Sequence, residues 1–175
     1  TTLIKLVESK LIGFTDPKKI AFMSFSRKAA AEAKTRALKD IEGLDPKDLI
    51  YFRTLHSLAF SWLGLSTSEV MSGRDYNELG KLVGLDFRTT QTINMEEGAL
   101  FNIGAGGDKY MSLIQYARVK QTDLEDEFHR GLNFTNMSWQ QLKVLDKAFK
   151  DYKRANRKVD FIDMIERFIW QDTSP

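Results

Sequence analysis

MSFSRKAAAEAKTRAL, residues 23–38, is the stretch that decides the fold. An apolar run, Ile20 to Ser24, reads as a short buried strand that ends in Ser24-Phe25-Ser26. The Ser26 hydroxyl is placed to cap a following helix, whose slim apolar stripe is Ala29, Ala30, Ala33 and Ala37. A strand feeding straight into a helix is the repeating piece of a parallel α/β sheet. The neighbours keep the rhythm. Upstream, Leu3, Leu6, Val7 and Leu11 predict a helix over residues 2–12 with Gly13 as its C-terminal cap, then a turn at Asp16-Pro17. Downstream, Asp45-Pro46 marks a turn, Leu49 to Arg53 reads as a second strand, and Thr54 caps a helix running to about Leu63 before Gly64.

Beyond residue 64 strand signals fade and helix starts accumulate. Ser66 with Glu69 and Ser138 with Gln141 have the spacing of a capping box. Apolar stripes follow at Tyr76, Leu79, Leu82 and Val83, at Tyr110, Leu113, Ile114 and Ala117, and at Leu142, Leu145, Phe149 and Tyr152. Asp160 is placed to cap a last helix carrying Phe161, Met164, Ile165, Phe168 and Ile169. Gly104-Ala105-Gly106-Gly107-Asp108-Lys109 is Gly-rich, follows no strand and reads as a flexible loop. The fold class is therefore α/β and mostly helical, with a few parallel strands and an inserted helical subdomain. Two parallel strands alone leave both sheet edges unpaired. With no initiator Met and an opening in mid-helix, the expectation is a piece of a larger protein.

Composition narrows the function. A chain of 175 residues with 42% hydrophobic and 29% charged residues is globular in type. With no Cys there are no disulfides, thiolate metal sites or Cys nucleophiles, and two His, His56 and His129, cannot build a multi-histidine metal cage. No apolar run approaches the roughly 18 to 20 residues of a membrane span, and no secretory leader pattern opens the chain. A cytoplasmic location is expected.

The formal charge of +2 hides local asymmetry. From Lys18 to Lys39, Lys18, Lys19, Arg27, Lys28, Lys34, Arg36 and Lys39 face the single acid Glu32. A second block sets Lys147, Lys150, Lys153, Arg154, Arg157 and Lys158 against Asp151. Charge runs are usually solvated helix faces, yet basic blocks are also what a phosphate-backbone binder shows.

Ligands of an open α/β sheet gather outside the carboxyl ends of its strands, and free N–H groups at a helix start favour phosphate. Phe25 at such a turn offers a stacking face for a base. The plainer alternative makes Phe25 core and Ser26 merely a cap, and elementary physics tips slightly toward it. TLHSLAF, residues 54–60, repeats the arrangement after the second strand, with Thr54, His56 and Ser57. A lone His there is more often structural, but two such turns on neighbouring strands would share one groove.

FSRKAAAEAKTRAL resembles motif Ia of superfamily 1 DNA helicases of the UvrD/Rep type, TFTNKAAxEMxxR, and TLHSLAF resembles their TFHSF element. Tyr152-Lys153 with Val159-Asp160-Phe161-Ile162-Asp163-Met164-Ile165 is similar to the YKxxxxxxDFDDLL segment that precedes the Walker B acids. Thr1-Thr2-Leu3-Ile4 is similar to the residues directly after the Gly-Lys of the Walker A loop. Arg27 departs from the usual Asn, and Ala33 from the common Met.

The resemblance implies part of a RecA-like P-loop motor. Residues 1–64 would be partial domain 1A, 65–150 the helical 1B insert, and 151–175 a return helix to 1A. It implies that Ser24, Phe25, Ser26, Arg27, Lys28, Thr54, His56 and Ser57 meet single-stranded DNA. It implies ATP and Mg²⁺ as cofactors of the parent protein, with Thr1 and Thr2 at the end of Walker A and Thr1 reaching Mg²⁺, and DNA-repair or replication proteins as further partners. No G-x-x-x-x-G-K-[ST] occurs in the chain, and the Asp160–Asp163 spacing suits a helix cap and its first turn better than a metal site. The chain by itself is therefore expected to bind no cofactor tightly, to be an inactive monomer, and to bind single strands weakly. The rival from another class is a helical protein-interaction module whose basic faces meet an acidic partner.

Overall fold

Ile4 and Val7, three residues apart, are the buried positions of helix α1 (Thr2–Ile12). They pack with Ala33 and Ala37 of helix α2 (Arg27–Asp40) and with Leu49 and Phe52 in one core. The small alanines let the two helices approach closely; Ala29 lies outside the stripe and is exposed. Strand β1 (Phe22–Ser24) pairs in parallel with β2 (Phe52–Thr54), Ser24 standing opposite Thr54. The rings of Phe22 and Phe52 stack across the pair at 5.5 Å. Helix α3 (Leu55–Trp62) follows β2 directly. The computed structural model from which this is read describes residues 2–87, 106–130 and 138–171.

The strands are shorter than the apolar runs suggest. Ile20 closes a 3-10 turn over Pro17–Lys19 by donating its N–H to the Pro17 carbonyl, and the Leu49 carbonyl accepts from Phe52 in a turn. Those backbone groups are used locally, so pairing begins only at Phe22 and Phe52. At the end of α1, Gly13 still bonds back to Ser9, and the left-handed residue is Phe14 (φ 60°) rather than the glycine.

By backbone contacts the chain forms two units, one ending at Gly64 and the other starting at Leu65. The second unit contains α4 (Gly73–Val83), α5 (Gly106–Lys120), α6 (Leu124–His129), α7 (Trp139–Ala155) and α8 (Phe161–Gln171). Its core joins Tyr76 and Leu79 with Leu113, Ile114, Leu142, Leu145 and Phe149, as the stripes predict. Leu82 and Ile169 are exceptions, turned outward and 72% and 55% exposed. Ser66 and Glu69 bracket only a 3-10 turn, Thr67–Glu69. Strand character does not end at residue 64: Val70 forms a parallel bridge with Val159, with Met71 donating to Val159 O and Val159 to Glu69 O, each at 2.8 Å. One residue pair has no periodicity to read.

The Gly-rich stretch is not a loop where it is described. Gly106 starts α5, and Gly107 is buried with its N–H on the Asp86 carbonyl at 3.0 Å. A Cβ there would sit 2.6 Å from that carbonyl, so Gly107 serves close approach rather than flexibility. Gly104 and Ala105 lie outside the described residues. The architecture is α/β, mostly helical with a two-stranded parallel sheet.

Candidate nucleic-acid interface

The parallel register brings the two turns together. Ser24 and Thr54 end their strands opposite one another, so Phe25–Lys28 and Leu55–Ser57 leave the sheet at the same level from adjacent strands. In the first turn Ser24 Oγ accepts from the Ser26 N–H at 3.2 Å, and Ser26 Oγ accepts from the Ala29 N–H at 3.1 Å. These bonds hold an extended Ser26 and start α2 at Arg27. Between them Phe25 is 75% exposed. The plainer expectation for Phe25 is thus corrected: β1 ends at Ser24, as the apolar run predicts, and the ring beyond it stands in solvent instead of in the core. The expectation for Ser26 as a cap holds.

Arg27 and Lys28 occupy the first turn of α2, which contains no acid. Two cations at the positive end of a helix dipole oppose it by roughly 0.3 to 1 kcal/mol each. An anion seated at that helix start would reverse the sign of that cost. Around it, Glu32 pairs with Arg36, whereas among the described residues no carboxylate lies within ion-pair distance of Lys18, Lys19, Lys28, Lys34 or Lys39.

The second turn is drier. Thr54 is 2% exposed, and its Oγ1 accepts from the Ser57 N–H at 3.2 Å as the N-cap of α3. Its hydroxyl shapes the turn instead of facing outward. His56 and Ser57 are half-buried, and burial pushes the His56 pKa below its ordinary value, so the ring is neutral at neutral pH. Neighbouring Arg53 donates to Ser61 Oγ at 3.0 Å and braces β2 against α3. The side chains offered to solvent are therefore Phe25, Ser26, Arg27 and Lys28, with His56 and Ser57 beside them.

The other constellations are internal. Asp160 and Asp163 cap α8 reciprocally, each carboxylate accepting the other's N–H at 2.8 and 2.9 Å. Both also accept from Arg118 and Lys153 at 2.7 Å, and Arg118 reaches Glu166 at 2.8 Å. Sequence reading finds the cap but not Arg118, which lies on α5 and has no local signal linking it to α8. Half of the second basic block is firmly paired: Lys150 with Asp146, Lys153 with Asp160 and Asp163, and Lys158 with Asp75.

Thr1 lies outside the described residues, and Thr2 is an exposed residue at the start of α1. Among the described residues no cluster of three or more His, Asp or Glu could hold a metal ion. No described helix is long and apolar enough to cross a membrane.

The model of one protein family, the UvrD/REP helicase N-terminal domain, matches residues 1–171. No curated protein and no solved structure matches the chain.

Proposed function

The chain belongs to the UvrD/REP helicase N-terminal domain family, and we propose that it forms the single-strand-binding part of an ATP-dependent DNA helicase. Residues 1–64 are assigned to domain 1A, 65–150 to the 1B insert and 151–175 to the return to 1A. The parent couples ATP hydrolysis, with Mg²⁺, to stepping and unwinding in the cytoplasm, alongside repair or replication proteins. This chain, as a monomer, contributes a track on which a base stacks against Phe25 while Ser26, Arg27 and Lys28 meet phosphate, with His56 and Ser57 completing the groove. Ser24 and Thr54 hold the two turns in shape.

The observation that carries this reading is the exposed Phe25 ring at a turn whose parallel register with Thr54 puts a second polar turn beside it. Stacking is indifferent to base identity, so binding should be weak and independent of sequence. Fluorescence anisotropy with a labelled single-stranded oligonucleotide tests it. Phe25→Ala should weaken binding about five- to 150-fold, the equivalent of roughly 1 to 3 kcal/mol per stacked base. Unchanged affinity, or affinity indifferent to salt, would overturn the assignment and leave the interaction-module reading.

A further inference from the structure

A charged cavity of about 570 Å³ opens at the C-terminal end of α7, in the unit that does not contain the Phe25 turn. Lys150, Lys153, Arg154, Arg157, Lys158 and Arg167 line it against two carboxylates, Glu69 and Asp163. Among the described residues of the lining none is aromatic or aliphatic, and the excess of cations favours an anion.

The cations differ in what they already hold. Lys150, Lys153 and Lys158 are bound to Asp146, to Asp160 and Asp163, and to Asp75 at 2.7 to 3.0 Å. Arg154 reaches Asp151 only at 3.5 Å, with 83% of its side chain exposed, a pair of little strength in water. Arg157 and Arg167 form no ion pair among the described residues, although both are exposed and charged. Glu69 feels the Arg167 charge, but its carboxylate already accepts from the N–H and hydroxyl of Ser66 at 2.8 and 2.7 Å.

Two features argue against a merely structural cluster. Cations near a helix C-terminus do favour the dipole, but the last carbonyls of α7 are already met: Tyr152 O by Asn156 N–H at 3.0 Å and Lys153 O by Lys158 N–H at 2.8 Å. The residual charge at that end is roughly half an electron, against two full guanidinium charges. Arg157 moreover sits at φ 52°, the left-handed region where glycine is the favoured residue. Its guanidinium, without an ion pair among the described residues, is available to an anion.

We propose that this cavity binds the phosphodiester backbone of nucleic acid through Arg157 and Arg167, as a contact separate from the Phe25 turn. The forked guanidiniums suit phosphate oxygens bidentately. Contacts to phosphate carry no base information, and the family's nucleic-acid partner, on which this inference rests, supplies the polyanion.

The test is Arg157→Gly with Arg167→Gln in the full chain. Glycine relieves the left-handed backbone and Arg167 is exposed, so circular dichroism should report a folded protein. Lys10→Gln with Lys81→Gln removes the same charge from exposed positions that do not line the cavity. Anisotropy with a labelled single-stranded oligonucleotide is read across a salt series. Each phosphate contact to a single strand carries a slope of roughly −0.7 in log K against log salt, so the arginine double variant should flatten the slope by roughly 1.4. The lysine variant should leave it in place, and Phe25→Ala should lower affinity at constant slope, which separates failure of this proposal from failure of the stacking site. An arginine variant with the parental slope overturns the proposal, as does an equal flattening in the lysine control. Inorganic triphosphate bound by the parental chain and lost in the variant, with the oligonucleotide slope unchanged, would assign the cavity to a free anion instead.

Discussion

Asp163 is held by opposing effects of unequal size. Burial pushes its carboxyl upward, but the hydrogen bond and charge of Lys153, the Asp160 N–H and Arg118 together bring the pKa below the usual carboxylate range. A carboxyl whose folded pKa is depressed contributes stability above its unfolded value of roughly 3.9, and loses it as pH falls through the folded pKa. The expected outcome is a urea midpoint, followed by circular dichroism, that drops as pH is lowered below about 4. Asp163→Asn should be less stable at neutral pH and show a flatter acid limb. Identical limbs in the two proteins would mean that Asp163 does not supply the linkage. For Phe25, type and position at the end of β1 offer a stacking face, but its exposure depends on whether a distant segment covers the turn.

Two glycines of the second unit make room for one ring. Phe87 fits against Gly80 of α4 and Gly107 of α5, where added Cβ atoms would lie 2.9 Å and 3.0 Å from its ring. Alanine is the better helix former by roughly 1 kcal/mol, so a substitution governed by helix propensity would stabilise. The close approach to Asp86 O and Phe87 should win, and Gly107→Ala should lower stability by about 1 to 3 kcal/mol in urea denaturation. A stabilised variant would show that the packing of Asp86 and Phe87 against α5 yields without strain. At this scale helix types were well marked, because stripes such as Leu142, Leu145 and Phe149 repeat at 3.6 residues. Leu82, Ile169 and Gly107 depart from the pattern because the neighbouring element decides which face is covered.

Across the whole chain, the functional expectation rests on parts that are present and parts that are not. Phosphoryl transfer needs a phosphate cradle, metal ligands and a group that positions water, and no G-x-x-x-x-G-K-[ST] stands anywhere in the 175 residues. Purified chain supplied with Mg²⁺ and ATP should release no phosphate in steady turnover, with or without single-stranded DNA. Sustained release would overturn that expectation. The two units have separate cores, one built on Ile4, Ala37 and Phe52 and the other on Leu79, Ile114 and Phe149.

What the amino-acid order determined by itself is local: the capping hydroxyls of Ser26 and Thr54, most of the helical stripes, the strand-to-helix turns and the motif resemblance. Each is encoded within a few residues, by a hydrogen bond to a near neighbour or by the helix repeat. Only the tertiary structure decided the Ser24–Thr54 register, the exposure of Phe25, the union of Arg118 with Asp160 and Asp163, and the gathering of Arg157 and Arg167 around one cavity. The physical reason is that burial and charge pairing depend on which distant segments fill the same space, and no spacing along the chain records that.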